Sequence, residues 1–326
     1  MHPSGAFPLR GLIVERLAGA IRALGHRVEF VKLGVGKPHR YVGARRRVAE
    51  AIRLMKPDVV HVHFGYSGLA VPHHAPPIVT SFYGDDLHGT WHDGGGTTLK
   101  SKVGILVSQV VALRSTRCIV VSQGLRERLW FAAARHKTTV VRDAVDPQLF
   151  RPLPRDSARA RFGIEPDSIR ILFPHDVSQP TKRLWLAQAA VDQFKAIEPK
   201  AQLWIVNGKP PDDMPWYYAA ADVMVITSAL ESGPSSAKEA LACGLPVVAV
   251  PVGDVQLFED APGAMLRAEP RPNELAEALR RAISSAPAVR RSRLPNALTL
   301  DAAAARIEEV YQTTLALRSR EGRRGA

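Results

Sequence analysis

Cysteine is nearly absent: Cys118 and Cys243 are the only two in 326 residues, both in apolar surroundings. Two such thiols make neither a disulfide framework nor a cysteine metal cluster, and they fit the buried thiols of a cytoplasmic protein. Long apolar runs are missing as well. None approaches the roughly 18 residues needed to span a bilayer. The chain opens without a charged stretch followed by an apolar one, so no secretory leader is expected. It has no internal repeat. No G-x-G-x-x-G follows a first strand, which argues against a nicotinamide-dependent enzyme on a dinucleotide fold. Acidic residues are scarce in one half only. Residues 1–150 hold 21 Lys and Arg against 10 Asp and Glu, a net +11, while the remainder holds 23 against 21, a net +2. So basic a half suggests an anionic partner such as a phospholipid surface or a lipid-diphosphate carrier; arginine-rich solvated faces are the alternative. Nucleic acid is not expected, because no reader motif accompanies the charge.

What the chain has in quantity is alternation. Helical spacing runs over 9–24, 42–55, 97–114 and 124–130, and apolar strand patterns over 27–33, 58–63, 78–82, 118–122 and 139–142. The helix at 42–55 carries Arg45, Arg46 and Arg47 together. After a proline-rich stretch at 147–154 the alternation restarts, with strands at 169–173 and 203–206, helices at 184–197 and 215–221, and closing helices at 272–285 and 301–317. This predicts two doubly wound α/β domains, 1–150 and 151–326, with the cleft between them as the default ligand site. The last helix is a candidate to pack back on the first domain.

The most ordered stretch is 223–253, VMVITSALESGPSSAKEALACGLPVVAVPVG. Residues 223–227 and 247–250 are β-branched and apolar without alternation, as in parallel strands buried on both faces. Pro234 suits a first helical turn, with Ser235 and Ser236 beside it, and Gly244 then Pro246 end the helix. Glu231 and Glu239 frame this helix with seven residues between them. Ligands of open α/β sheets bind outside the carboxyl ends of the strands, where a helix start favours an anion. Carboxylates accept hydrogen bonds without donating, so two of them suit the vicinal hydroxyls of a sugar or ribose. On their own, glutamates at this spacing are more commonly solvated charges.

The spacing is not on its own. Glu231-Ser-Gly-Pro-Ser-Ser-Ala-Lys-Glu239-Ala-Leu-Ala-Cys-Gly-Leu-Pro-Val-Val resembles the E-G-x-P-x-x-x-x-E-A-x-A-C-G-x-P-V-V of the retaining GT-B glycosyltransferases of family 4. Further along-chain likenesses are Lys56-Pro-Asp-Val-Val-His-Val-His-Phe64, Thr80-Ser-Phe-Tyr-Gly-Asp-Asp86, Val121-Ser122 with Leu129, and Asp143-Ala-Val-Asp-Pro-Gln-Leu-Phe-Arg-Pro152. Leu172-Phe-Pro-His-Asp176 followed by Lys182 resembles the loop ending in the family's diphosphate-binding lysine. The resemblance implies a GT-B fold of two Rossmann-like domains and transfer from a nucleotide-sugar with retention, without a metal or other cofactor. It implies Glu239 on the ribose, Glu231 on the sugar hydroxyls and Lys182 on the diphosphate, assisted by Arg183 and the helix start Gly233, Pro234, Ser235 and Ser236. The acceptor, a glycan, lipid-linked glycan or small molecule, falls to the basic half: Gly5, His63, Tyr83, Asp85, Asp86 and Arg45–Arg47. Peripheral contact with an anionic membrane follows from the same charge. The sequence departs from the family twice: Asp176 stands where arginine is usual, an expected repulsion of diphosphate, and Tyr83 stands where a histidine is common, keeping only the hydrogen bond.

Other groupings have plainer readings. His61 and His63, two apart on a strand, share one face; with Asp85, Asp86, His88 and His92 they suggest a metal, but no third ligand spacing requires one. Residues 94–96, three glycines, suit a flexible acceptor-side loop. Trp216, Tyr217 and Tyr218 either stack on a base or pack a short helix. The glycine-bearing loop 4–8 leads straight into the first helix, with no room before it for a central strand of about 5–6 residues, so a start upstream of Met1 is expected.

Overall fold

The computed structural model describes residues 11–33, 38–89, 96–255, 264–289 and 296–324. The chain divides into two compact units: Met1–Arg142 with Leu300–Ala326, and Asp143–Thr299. In the first, helices α1 (Leu12–Ala23), α2 (Pro38–Gly43) and α3 (Arg45–Met55) precede the strands β1 (Val60–His63) and β2 (Ile78–Phe82). Helices α4 (Asp85–His88) and α5 (Leu99–Arg114) lead to β3 (Arg117–Val120), and α6 (Gln123–Glu127) and α7 (Ala132–His136) lead to β4 (Thr138–Val140). The four strands are parallel and lie in chain order. Parallel neighbours need long crossovers, which these helices supply. Thr98 caps α5 by accepting the N–H of Ser101, and Ser122 caps α6 by accepting that of Leu125.

The expected strand at 27–33 does not form. Its residues are rich in β-formers, but a strand exists only through a ladder, and among the described residues no strand pairs with it. Side chains hold it instead: Arg22 donates to the carbonyl of Val28 and Arg47 to that of Lys32. Phe30 and Val31 stay exposed. The glycine-bearing loop at 4–8 and Gly5 lie outside the described residues.

The second unit comprises α8 (Arg155–Arg161), β5 (Ile169–Phe173), α9 (Leu184–Phe194), β6 (Ala201–Ile205), α10 (Met214–Ala220), β7 (Val223–Ile226), α11 (Ser235–Ala242), β8 (Val247–Ala249), β9 (Met265–Arg267) and α12 (Pro272–Val289). Its parallel sheet runs β6-β5-β7-β8-β9. Successive strand residues alternate between two cores. Leu172, Met224, Ile226, Val247 and Ala249 join one, and Ile171, Phe173, Val223, Val225 and Val248 the other. Burial on both faces is why β7 and β8 carry no polar residues.

The last helix, α13 (Leu300–Arg324), packs on α1 and belongs to the first unit. The chain divides after Arg142 rather than after residue 150 as expected. The proline-rich segment reads as a linker, yet Val145 bridges Thr299 and Phe150 is buried against Tyr218, ring centroids 6.3 Å apart.

Candidate functional site

In the second unit the loops following β5, β7 and β8 converge at the carboxyl ends of the strands. The Thr227 hydroxyl lies 2.8 Å from the carbonyl of Lys182 and 3.1 Å from that of Arg183, and Ala229 N–H donates to Thr181 at 2.7 Å. Gly253 has φ +58°, and a Cβ there would stand 3.1 Å from Pro234 Cδ and 3.3 Å from the Glu231 carbonyl. A larger residue would push the third loop away from the other two.

These loops bring Lys182 and Glu231 together: Nζ donates to Oε1 at 2.6 Å, with side chains 19% and 15% exposed. Such a charge-assisted bond is short and strong. Glu239, on α11, accepts from the hydroxyl of the fully buried Tyr218 at 2.9 Å. Burial, then the neighbouring Glu239 carboxylate, hold that phenol well above its ordinary pKa, so it stays a donor. No side chain caps the start of α11 at Pro234, and Ser235 Oγ lies 3.4 Å from Asp143 Oδ2. At the other end, Leu245 N–H reaches the Ala240 carbonyl and Gly244 N–H that of Leu241, with Gly244 at φ +76°. This paired closure fixes α11 in length.

Arg183 is directed elsewhere. It adopts φ +49°, and its guanidinium donates to the carbonyls of Thr227 and, at 3.1 Å, Ser228, tying down the end of β7. Asp176 builds a turn: its carboxylate accepts from Ser178 N–H at 2.9 Å and Ser178 Oγ at 2.7 Å, and these bonds hold its pKa below the usual range. Two residues without an assigned role from sequence stand here too. His175 is buried, its Nε2 has no hydrogen-bond partner, and burial, then the Lys182 charge, lower its pKa to about 4. It is a neutral imidazole beside the Lys182–Glu231 pair. Lys238, completely buried on α11, forms an ion pair of 3.2 Å with Asp254. Asp143 feels both charges, and burial raises its pKa to about 6. A Cβ on Gly233 would stand 3.2 Å from Lys238 Nζ, so the glycine lets this buried ammonium support the loop between the two glutamates.

The aromatic run resolves into packing. Tyr217 stacks on Phe162 at 4.5 Å, and the Arg161 guanidinium lies over Trp216 at 5.1 Å.

In the first unit His61 and His63 stack at 4.2 Å on one face of β1. His63 Nδ1 meets the Tyr83 hydroxyl at 2.6 Å; His61 meets Tyr311 of α13 at 2.6 Å and Ser81 at 2.8 Å. Burial lowers the pKa of His61 to about 4, and burial, then the neighbouring His61, hold His63 well below its ordinary value. Asp86 accepts from the backbone N–H groups of Gly65 and Tyr83, each at 3.0 Å, and burial raises its pKa to about 6. Asp85 is exposed. Arg45, Arg46 and Arg47 form the first turn of α3, Arg47 bound to the Lys32 carbonyl. Among the described residues no three His, Cys, Asp or Glu side chains are arranged to hold a metal, and no helix is long and apolar enough to cross a membrane.

Residues 11–149 match the family model "Glycosyltransferase Family 4", and residues 177–285 match "Glycosyl transferases group 1". A D-inositol 3-phosphate glycosyltransferase of Catenulispora acidiphila is 27% identical over 238 residues, 61% of this chain and 57% of that protein. The chain thus spans little more than half the length of that relative. Among solved structures, sucrose-phosphate synthase from Thermosynechococcus elongatus superposes with a TM-score of 0.78 at 18% identity, covering 94% of each chain. Anabaena Alr3699/HepE in complex with UDP and glucose gives 0.59 at 18% identity, covering 83% of this chain and 80% of that one. The two parallel α/β units are those of the GT-B glycosyltransferase structures.

Proposed function

We propose that this chain, with its two successive glycosyltransferase domains, moves a sugar from a nucleotide-sugar to an acceptor hydroxyl with retention of configuration. The observation that carries the reading is the Lys182–Glu231 pair at 2.6 Å, placed at the strand ends beside the start of α11, with Glu239 further along the same helix. Lys182 and the open α11 start take the diphosphate, Glu231 the sugar hydroxyls and Glu239 the ribose diol. The bond from the anomeric carbon to the phosphate oxygen breaks while the acceptor oxygen bonds on the same face. The leaving phosphate takes the acceptor's proton. Stabilising the charge on that phosphate is the largest protein contribution, and it falls on Lys182. No metal or other cofactor is needed. Arg183 supports the site through the backbone. The first unit serves the acceptor, a glycan, lipid-linked glycan or small molecule, with the Tyr83 hydroxyl backed by His63. The reaction belongs to the cytoplasm, at a membrane face when the acceptor is lipid-linked.

A similar structure in complex with UDP and glucose, and a relative named for inositol 3-phosphate, support trying uridine donors and polyol phosphates first. The purified chain incubated with a panel of nucleotide-sugars should hydrolyse one donor slowly even without acceptor. Lys182→Ala should lower kcat/KM for that donor about 10²–10³-fold. Nucleotide binding without turnover of any donor would make the chain a binding or regulatory relative instead.

A further inference from the structure

Helix α5 is apolar on both sides. Its inner face buries Gly104, Ser108, Val111 and Ala112, while its outer face carries Leu99, Val103, Leu106, Val110 and Leu113, with Leu99 80% and Leu106 52% exposed. Close packing explains the small inner residues. A Cβ on Gly65 would stand 2.0 Å from Ser108 Oγ, and one on Gly104 would stand 3.0 Å from the Tyr66 hydroxyl. Nothing in that contact calls for five large aliphatic side chains outside. Their spacing of four and three residues puts them in one stripe along a 16-residue helix, about 24 Å long.

Two exposed aromatics extend the stripe. Trp130 and Phe131 are 55% and 44% exposed. Gln109 pins them beside the helix, donating to the Arg128 carbonyl at 3.0 Å and accepting from Trp130 N–H at 2.9 Å. The surroundings are basic. Between residues 96 and 137 the sequence has eight Lys and Arg, and Glu127 is its one carboxylate. Lys100 and Lys102 flank the start of the stripe and Arg128 adjoins the aromatics, all three exposed.

We infer that this face docks on an anionic lipid surface. An aliphatic stripe with a tryptophan and a basic margin is the composition of a helix lying in a bilayer interface, and it needs negative headgroups for its cations. The pattern also fits helix pairing at heptad spacing. Two heptads, however, fall short of the three or four a coiled coil needs, and a second copy would set lysine and arginine against their own kind. This face is separate from Arg45–Arg47 on α3, the surface that sequence alone suggested. Docking requires no turnover, so it is tested apart from the transfer reaction.

The test is flotation of the purified full chain with phosphatidylcholine vesicles, with and without about one-third phosphatidylglycerol, alongside light scattering of the protein alone. Binding should require the anionic lipid and fade as salt rises past physiological strength. Leu106→Ser with Val110→Ser should weaken it about tenfold or more, and Lys100→Glu with Lys102→Glu should weaken it comparably. The exposed positions let both variants keep their helical circular dichroism. The inference is overturned by failure to bind either vesicle, or by binding that both variants retain but that Arg45→Ala, Arg46→Ala and Arg47→Ala together abolish. A dimer that the Ser variant splits into monomers would also overturn it.

Discussion

The strand ends of the two units are polar in different ways. In the second, ionised groups face one another across loops: Lys182 with Glu231, and Lys238 with Asp254 beside Asp143. In the first, neutral rings and hydroxyls pair off, His63 with Tyr83 and His61 with Tyr311 and Ser81, while Asp86 serves two backbone N–H groups. The arrangement of the second unit can exchange a partner for a charged ligand. That of the first unit keeps its charge low and ties strands to α13, and it positions atoms without binding ions. The contrast also runs inside the second unit, between a pair partly open to water and one completely closed from it.

That inner contrast gives the largest expected effect. Removing one member of a buried ion pair leaves an uncompensated charge, at a cost of about 3–5 kcal/mol. Lys238→Met should therefore lower the urea midpoint strongly, whereas Lys182→Met, in the pair that water partly reaches, should lower it less. Equal midpoints for Lys238→Met and the parent would show that the closed pair contributes nothing to stability.

Which of these features could be read from sequence depended on how local their causes are. Helix α11 was legible because proline at its start and glycine at its end act on their own neighbours, and Gly244 closes it as expected. The apolar runs at β5, β7 and β8 were legible for the same reason. Lys238 was not, because a lysine on a helix is ordinarily solvated and only Asp254 and Asp143, distant in sequence, make it a buried one. The strand expected at 27–33 failed in the opposite sense: its pattern is local but its ladder partner is not. Asp176, expected to repel a diphosphate, also builds a turn through Ser178, a role that the Asp-x-Ser spacing carries on its face. His175 stood in the quoted Leu172–Asp176 motif without a role, since nothing but burial marks it.

The first unit offers the next effect, through pH. His61 titrates near 4 when folded because it is buried, against about 6.5 unfolded. Its folded pKa is depressed, so the unfolded chain takes up the proton first and stability falls as pH drops from about 6.5 to 4. Asp86, raised to about 6 by burial, acts with opposite sign, gaining stability over nearly the same range. The two contributions therefore largely cancel in the parent. His61→Gln removes one of the opposing groups, and its stability relative to the parent should improve by about 2–3 kcal/mol between pH 6.5 and 4. Denaturant unfolding at several pH values measures it; a constant difference would mean that His61 titrates normally.

The smallest effect tests whether buried neutral groups of the second unit also act on the ligand side. Tyr218 touches no open surface, yet its hydroxyl holds Glu239 at 2.9 Å. Tyr218→Phe keeps the ring, its packing against Phe150 and the burial of α10, and removes only that donor. A hydrogen bond of this kind contributes about 1 kcal/mol, so uridine diphosphate should bind about fivefold more weakly by calorimetry. The same substitution at Tyr83, which bonds His63 in the first unit, should leave nucleotide affinity unchanged. Direct truncation, Glu239→Ala, should cost more, about 1.5–3 kcal/mol, because a charged acceptor is lost. The double variant then decides the route. If Tyr218 works by orienting Glu239, adding Tyr218→Phe to Glu239→Ala costs nothing further, whereas additive losses would make the tyrosine an independent part of the packing beneath the site.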